Sequence, residues 1–253
     1  MVLSIFDRIK VILRGRHNSI KYKFLILPKD YAIELLFRLT GRRWLDFYRY
    51  RMNREANKGQ KNSAAVPDPS YIEGARQQYE YLCKHGLRHG HKLLDYGCGI
   101  MRLCIWVEGS GVEYFGVDIS DERIALGRRL LQERGIKIDS AHAVAVGDYE
   151  LSALKENNFD FIWAQSVYTH MPVDEIVVSM RCLKDFLKPD GKFLFTFSPA
   201  REDRVVRLNQ KDWWQPPQVI EACARRAGFE VKIDPHWNID FGDMAGILTF
   251  ARA

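Results

Sequence analysis

No stretch of this 253-residue chain approaches the roughly 20 uninterrupted apolar residues that a bilayer-spanning helix needs. A secretory leader is also not expected. Asp7, Arg8 and Lys10 break the apolar N-terminal run, and no small-residue cleavage site follows. Cysteine is sparse and odd in number: Cys83, Cys98, Cys104, Cys182 and Cys223. They form no CxxC pair and no Cys/His cluster of zinc spacing, so free thiols are expected rather than a disulfide framework or a structural metal. His85, His89 and His91 span a helix end and the turn glycines Gly86 and Gly90, a poor metal frame. No metal is expected. The expected compartment is the cytoplasm.

Charge of one sign is scarce in one part of the chain only. Residues 1–62 hold 15 Lys/Arg against 5 Asp/Glu, a net +10, and the remaining residues hold 23 against 27, a net −4. Such asymmetry suits an anionic partner, or a basic surface packed on an acidic body. The anionic partner could be a membrane surface at its inner face, an acidic glycan or nucleic acid. Residues 1–14 place Ile5, Ile9 and Ile12 near one helical face, and residues 29–39 and 42–56 read as further helices. The stretch 57–70, NKGQKNSAAVPDPS, has no period and reads as a linker. The expected division is therefore a basic helical extension or cap over 1–62 and a main domain over 63–253.

After the linker, short apolar runs alternate with helical stretches. Strands are expected at 92–97, 114–119, 141–146, 159–165, 192–198, 229–233 and 247–251. Helices are expected at 71–85, 101–108, 120–134, 174–188 and 216–227. Tyr71, Ala75, Tyr79 and Leu82 stripe the first, with Gly86 as its cap. Ser120 is placed to cap the third, and LKPDG after the fourth reads as a turn. This is an α/β pattern: a Rossmann-like, seven-stranded, mostly parallel sheet with helices on both faces. Only a loop joins the last two strands, so the last must run antiparallel.

The sharpest chemical signal is LLDYGCGIMR, residues 93–102. A strand ends in Asp95, and Gly97 and Gly99 bracket a turn where the backbone can approach a ligand closely. A second strand ends in Asp118, nineteen residues beyond Gly99, where a carboxylate can accept ribose hydroxyls. The layout points to a nucleoside-bearing cofactor. A dinucleotide fingerprint G-x-G-x-x-G would need glycine where Arg102 stands, so a pyrophosphate grip is not supported.

The D-x-G-C-G pattern, the acid ending strand two, Gly-Asp after strand three and LKPDGKFLF at strand five resemble the class I methyltransferases that use S-adenosylmethionine (SAM). The resemblance runs from about residue 70 to the end of the chain. GCGIMR, FGVDIS and AQSVYTHMP are more narrowly similar to a bacterial subgroup linked to surface-glycan or secondary-metabolite modification. The resemblance implies SAM as cofactor, with Asp95, Gly97, Cys98 and Gly99 at its methionine end. Asp118 would hold the ribose, Ile119 would pack on the adenine, and Asp148 and Tyr149 would border the adenine amino group. Asp148 also reads as an ordinary turn residue. Many members carry glycine at Met101, so this side chain must turn away from the cofactor or narrow its pocket. Arg102 either contacts the methionine carboxylate or braces the loop. Gln165 and Ser166 would border SAM, while Tyr168 and His170 would face the acceptor.

A histidine suits general-base work on a hydroxyl, so His170 is the first candidate, unless it only shapes the loop before the next helix. The expected function is O-methylation of a small molecule or glycan. An RNA/DNA-directed methyltransferase is the alternative, supported only by the basic, aromatic segment 42–56. A non-catalytic SAM-binding protein is another. Trp213 and Trp214, and the loop with His236, Trp237, Asp240 and Asp243, are weaker candidates for an acceptor wall.

Overall fold

A computed structural model describes residues 32–36, 39, 44–61, 69–154, 158–208, 212–234 and 244–250. Expectations placed on 1–31 and on the loop with His236, Trp237, Asp240 and Asp243 lie outside the described residues. Residues 32–36 are helical. The chain divides into two compact units, 1–48 and 49–253.

In chain order the described elements of the larger unit begin in α1 (Trp44–Lys61), inside which the division falls, and α2 (Pro69–Lys84). There follow β1 (Lys92–Tyr96), α3 (Cys104–Val107), β2 (Glu113–Asp118), α4 (Asp121–Glu133), β3 (Ala143–Ala145) and β4 (Phe159–Ala164). The rest are α5 (Val173–Lys184), β5 (Leu187–Pro199), β6 (Val206–Arg207), β7 (Trp213–Gln215), α6 (Pro217–Arg226), β8 (Phe229–Asp234) and β9 (Met244–Phe250).

The main sheet has the order β3-β2-β1-β4-β5-β9-β8. The first five strands run parallel, and β9 lies antiparallel between β5 and β8. The seven-strand expectation and the reversed last strand both agree with this. Strands of such a sheet are covered on both faces, so their residues are buried in continuous runs. Leu93 to Tyr96, Tyr114 to Asp118 and Phe161 to Ala164 are all buried, as are Phe193, Phe195 and Phe197 of β5.

The helices start and stop where local chemistry says they should. The Ser120 side chain accepts the Arg123 amide at 3.1 Å and caps α4, with Asp121 and Glu122 in its first turn. The α2 stripe buries Ala75 and Leu82 completely, and Gly86 ends the segment at φ +107°.

Several expected boundaries are corrected. Residues 57–61, expected as linker, continue α1, and Asn57 donates to the Glu122 carboxylate at 3.5 Å. The expected helix over 101–108 shrinks to α3, because Met101 takes a left-handed φ of +57°. Strand pairing on β5 begins at Leu187, and LKPDG forms a bulge between the Phe159–Leu187 and Phe161–Lys192 pairs rather than a free turn. The β6–β7 hairpin was not expected. It extends the end of β5 through the Ser198–Trp214 and Pro199–Gln215 pairs.

Candidate active site

The glycine loop sits at the carboxyl end of β1, beside the carboxyl end of β2. The amides of Gly97 and Cys98 both donate to the Val117 carbonyl, at 2.8 and 2.9 Å. Gly97 has φ +77° and Gly99 φ +57°, conformations that cost a side-chain-bearing residue about 1 kcal/mol or more. A Cβ on Gly97 would also stand 2.5 Å from Val167 Cγ2, so the loop after β4 closes directly on it.

Asp118 has a job the sequence did not show. One carboxylate oxygen accepts the Gly99 amide at 2.8 Å and the other accepts the Ser120 amide at 2.9 Å. The residue ties the loop after β1 to the start of α4. Each carboxylate oxygen still has acceptor capacity for a ribose hydroxyl. Cys98 turns its thiol toward Gly116 of β2, and burial holds that thiol well above its ordinary pKa. It therefore presents backbone, not sulfur, to the loop. Met101 is fully buried with its terminal methyl against Gly127 of α4, so it turns away rather than narrowing the loop.

Asp95 is buried, accepts the Tyr114 hydroxyl at 2.7 Å and is pushed up to about 7. Burial is the main cause, opposed by the Tyr114 hydrogen bond and by the Arg102 charge. Arg102 extends toward α2, with its guanidinium 3.5 Å from where a Cβ on Gly74 would stand. Arg123 of α4 reaches over Gly99 in the same way, at 3.7 Å. On the β4 side, Gln165 donates to the Ser166 hydroxyl, and its own Oε1 is buried without a hydrogen-bond partner. Ser166 adopts φ +53° and its amide donates to Thr196 Oγ1 at 2.8 Å. Asp148 accepts the Ser152 amide at 3.0 Å and so closes a turn. Tyr149 is buried, and its hydroxyl is pushed upward by burial and the neighbouring Glu175. Ile119 is half-buried at the mouth of β2.

The turn Tyr168–His170 follows β4. Tyr168 is corrected as an acceptor-facing residue. It is fully buried, its ring packs edge-on against Phe195, and its hydroxyl lies 3.3 Å from Ser179 of α5. The apolar faces of β5 claim the ring, and the buried Ser179–Tyr96 pair claims the hydroxyl. His170 is different. Its side chain is 23 % exposed, and Nδ1 lies 2.9 Å from the Asp212 carboxylate. Gln215 of β7 is fully buried and donates to the carbonyls of Tyr168 and Met171, both at 3.1 Å.

Sequence reading missed Tyr114, Arg123, Gly127, Thr196, Asp212 and Gln215. Only Gly127, a glycine inside a helical pattern, carried a local signal. The others are joined to the site by the fold alone.

Residues 94–195 match the methyltransferase domain family. The chain is 29 % identical over 147 residues to the methyltransferase GfsG of Streptomyces halstedii, covering 56 % of this chain and 49 % of that protein. It is 28 % identical over 151 residues to a ubiquinone biosynthesis O-methyltransferase of Actinobacillus pleuropneumoniae, covering 56 % and 63 %. The matched stretch thus spans about half to two thirds of these relatives. Magnesium protoporphyrin IX methyltransferase from Synechocystis PCC 6803, solved with bound SAM, superposes with a TM-score of 0.63 at 15 % identity over 83 % of this chain and 98 % of that one. Residues 94–195 are thus a methyltransferase domain, on the fold of the class I enzymes that use SAM.

The methyltransferase pocket fits its cofactor on observations internal to this chain. A buried carboxylate at Asp95 and a buried, unpartnered acceptor at Gln165 Oε1 suit an ammonium group. Two left-handed glycines leave the backbone bare between Asp95 and Asp118, which lie at one end of the sheet. Among the described residues, no three His, Cys, Asp or Glu side chains converge as metal ligands. No helix among them is long and apolar enough to cross a membrane.

Proposed function

We propose that this methyltransferase modifies a hydroxyl group of a small molecule or glycan, producing a methyl ether. Bound SAM supplies an electrophilic methyl on a sulfonium. Asp95 and Gln165 hold the ammonium of its methionine end, with Arg102 beside them. Asp118 holds the ribose, and Ile119 with the Asp148–Tyr149 turn borders the adenine. His170 takes the proton that the acceptor hydroxyl gives up. The observation that carries the reading is the position of His170: a partly exposed imidazole at the ligand end of β4, in the turn that closes on Gly97. Similarity to ubiquinone biosynthesis O-methyltransferases supports the choice of oxygen.

The test is label transfer from methyl-tritiated SAM to a panel of phenols, hydroxybenzoates and sugars, with amines, thiols and RNA alongside. Methyl ethers are the expected products, and His170→Gln is expected to lower their formation roughly 100-fold at unchanged SAM affinity. Label appearing on amines, thiols or RNA while hydroxyl compounds stay unlabelled overturns the reading.

A further inference from the structure

The β6–β7 hairpin is built around one turn of the neighbouring loop. β7 joins the sheet at the very end of β5, and the Ala200 amide donates to the Gln215 carbonyl at 3.0 Å. The Leu208 amide donates to the Asp212 carbonyl at 2.9 Å, which fixes the backbone on either side of the hairpin's tip. Arg207 stacks over the Trp213 ring at 4.8 Å and braces the two strands. From this platform two side chains reach the His170 turn. Asp212 meets His170 Nδ1, and Gln215 grips the carbonyls just before and just after the residue pair Thr169–His170. Gln215 makes these two donations while its own Oε1 stays buried without a partner. A side chain serving packing alone would be better replaced by an apolar one, because the stranded acceptor costs about 1–3 kcal/mol.

We infer that Asp212 and Gln215 are positioning residues for His170. Gln215 fixes the turn, and Asp212 accepts Nδ1–H, holding the neutral imidazole in the tautomer whose Nε2 carries the lone pair. That tautomer is the one able to take a proton at Nε2 from an acceptor hydroxyl. An imidazole protonated at Nε2 and unprotonated at Nδ1 would set its donor toward the acceptor and a lone pair against the Asp212 carboxylate. The inference rests on the reading of His170 as the base, and it assigns the hairpin a purpose that neither strand shows by its sequence.

The test uses the full chain with saturating S-adenosylhomocysteine and long-range proton–nitrogen correlation spectra of the histidine rings, at a pH where the imidazoles are neutral. Comparison with His170→Gln assigns the His170 signals. The native protein is expected to show His170 protonated at Nδ1. In Asp212→Asn the amide can donate to Nδ1, so the ring is expected to switch to the Nε2-protonated form, while Asp212→Glu keeps the native form. S-adenosylhomocysteine affinity within about twofold of native shows that each variant is folded. A native ring protonated at Nε2, or a ring whose tautomer is the same in Asp212→Asn, overturns the inference. The tautomer needs no acceptor, so it reads independently of the label-transfer panel. A tautomer switch beside an undiminished His170→Gln activity would sink the base and leave the positioning intact.

Discussion

Asp95 concentrates the chemistry of the pocket in one residue. Its carboxyl is buried against Tyr114 and is pushed up to about 7. On the proposed reading the ionised form holds the cofactor's ammonium, so binding would release the proton that the free protein keeps below that pH. Affinity for S-adenosylhomocysteine is therefore expected to fall as the pH drops below about 7, measured by titration calorimetry across the range. In Asp95→Asn the affinity should be lower and this dependence gone. The linkage has the opposite sign for the empty fold. A carboxyl whose folded pKa is raised favours folding while protonated, and that contribution is lost as pH rises through about 7. The ligand-free protein should thus lose stability over the range in which its ligand begins to hold. The sequence named Asp95 and Asp118 because they end apolar strands. It did not name the work done by Tyr114, nor the bridge by which Asp118 joins the Gly99 and Ser120 amides. Those partners sit on neighbouring strands and turns, and no spacing along the chain encodes the contact.

Helix α4 brings the same lesson to elements. Its start was legible because Ser120 and two acids form a local signature. Its packing was not. A Cβ on Gly127 would stand 2.7 Å from the carbonyl carbon and oxygen of Ile100 and 2.8 Å from the Met101 methyl. The backbone of the glycine loop cannot give way without reshaping the pocket. Helix propensity alone predicts that Gly127→Ala stabilises by about 1 kcal/mol. The contact predicts the reverse: a lower Tm and at least tenfold weaker S-adenosylhomocysteine binding. A raised Tm with native affinity would show that the helix can shift freely. The hairpin β6–β7 was missed for a related reason. Strands of two and three residues have no periodicity to display, and their pairing with β5 is a product of the finished sheet. Trp213 and Trp214 drew notice as aromatic residues, while their neighbours Asp212 and Gln215 reach the Tyr168–His170 turn.

For the whole molecule, the order of elements was readable because a sheet covered on both faces demands buried apolar runs, and the lack of a crossover demanded a reversed last strand. The boundary of the larger unit was less readable. A polar, unperiodic stretch at 57–61 resembles a linker, yet it is helix, and the compact units divide at 48/49. Tertiary contacts hold this helix to the larger unit: Arg49 lies over Gly147, just past β3, and Asn57 donates to Glu122 in the first turn of α4.

Titration of the purified chain with S-adenosylhomocysteine tests the pocket most directly. Saturable binding of one ligand per chain in the micromolar range (about 1–100 μM, or roughly 5–8 kcal/mol) is expected, with a matching rise in Tm. The absence of both heat and thermal shift at millimolar ligand would contradict the assignment of the glycine loop, Asp95 and Asp118 to this cofactor.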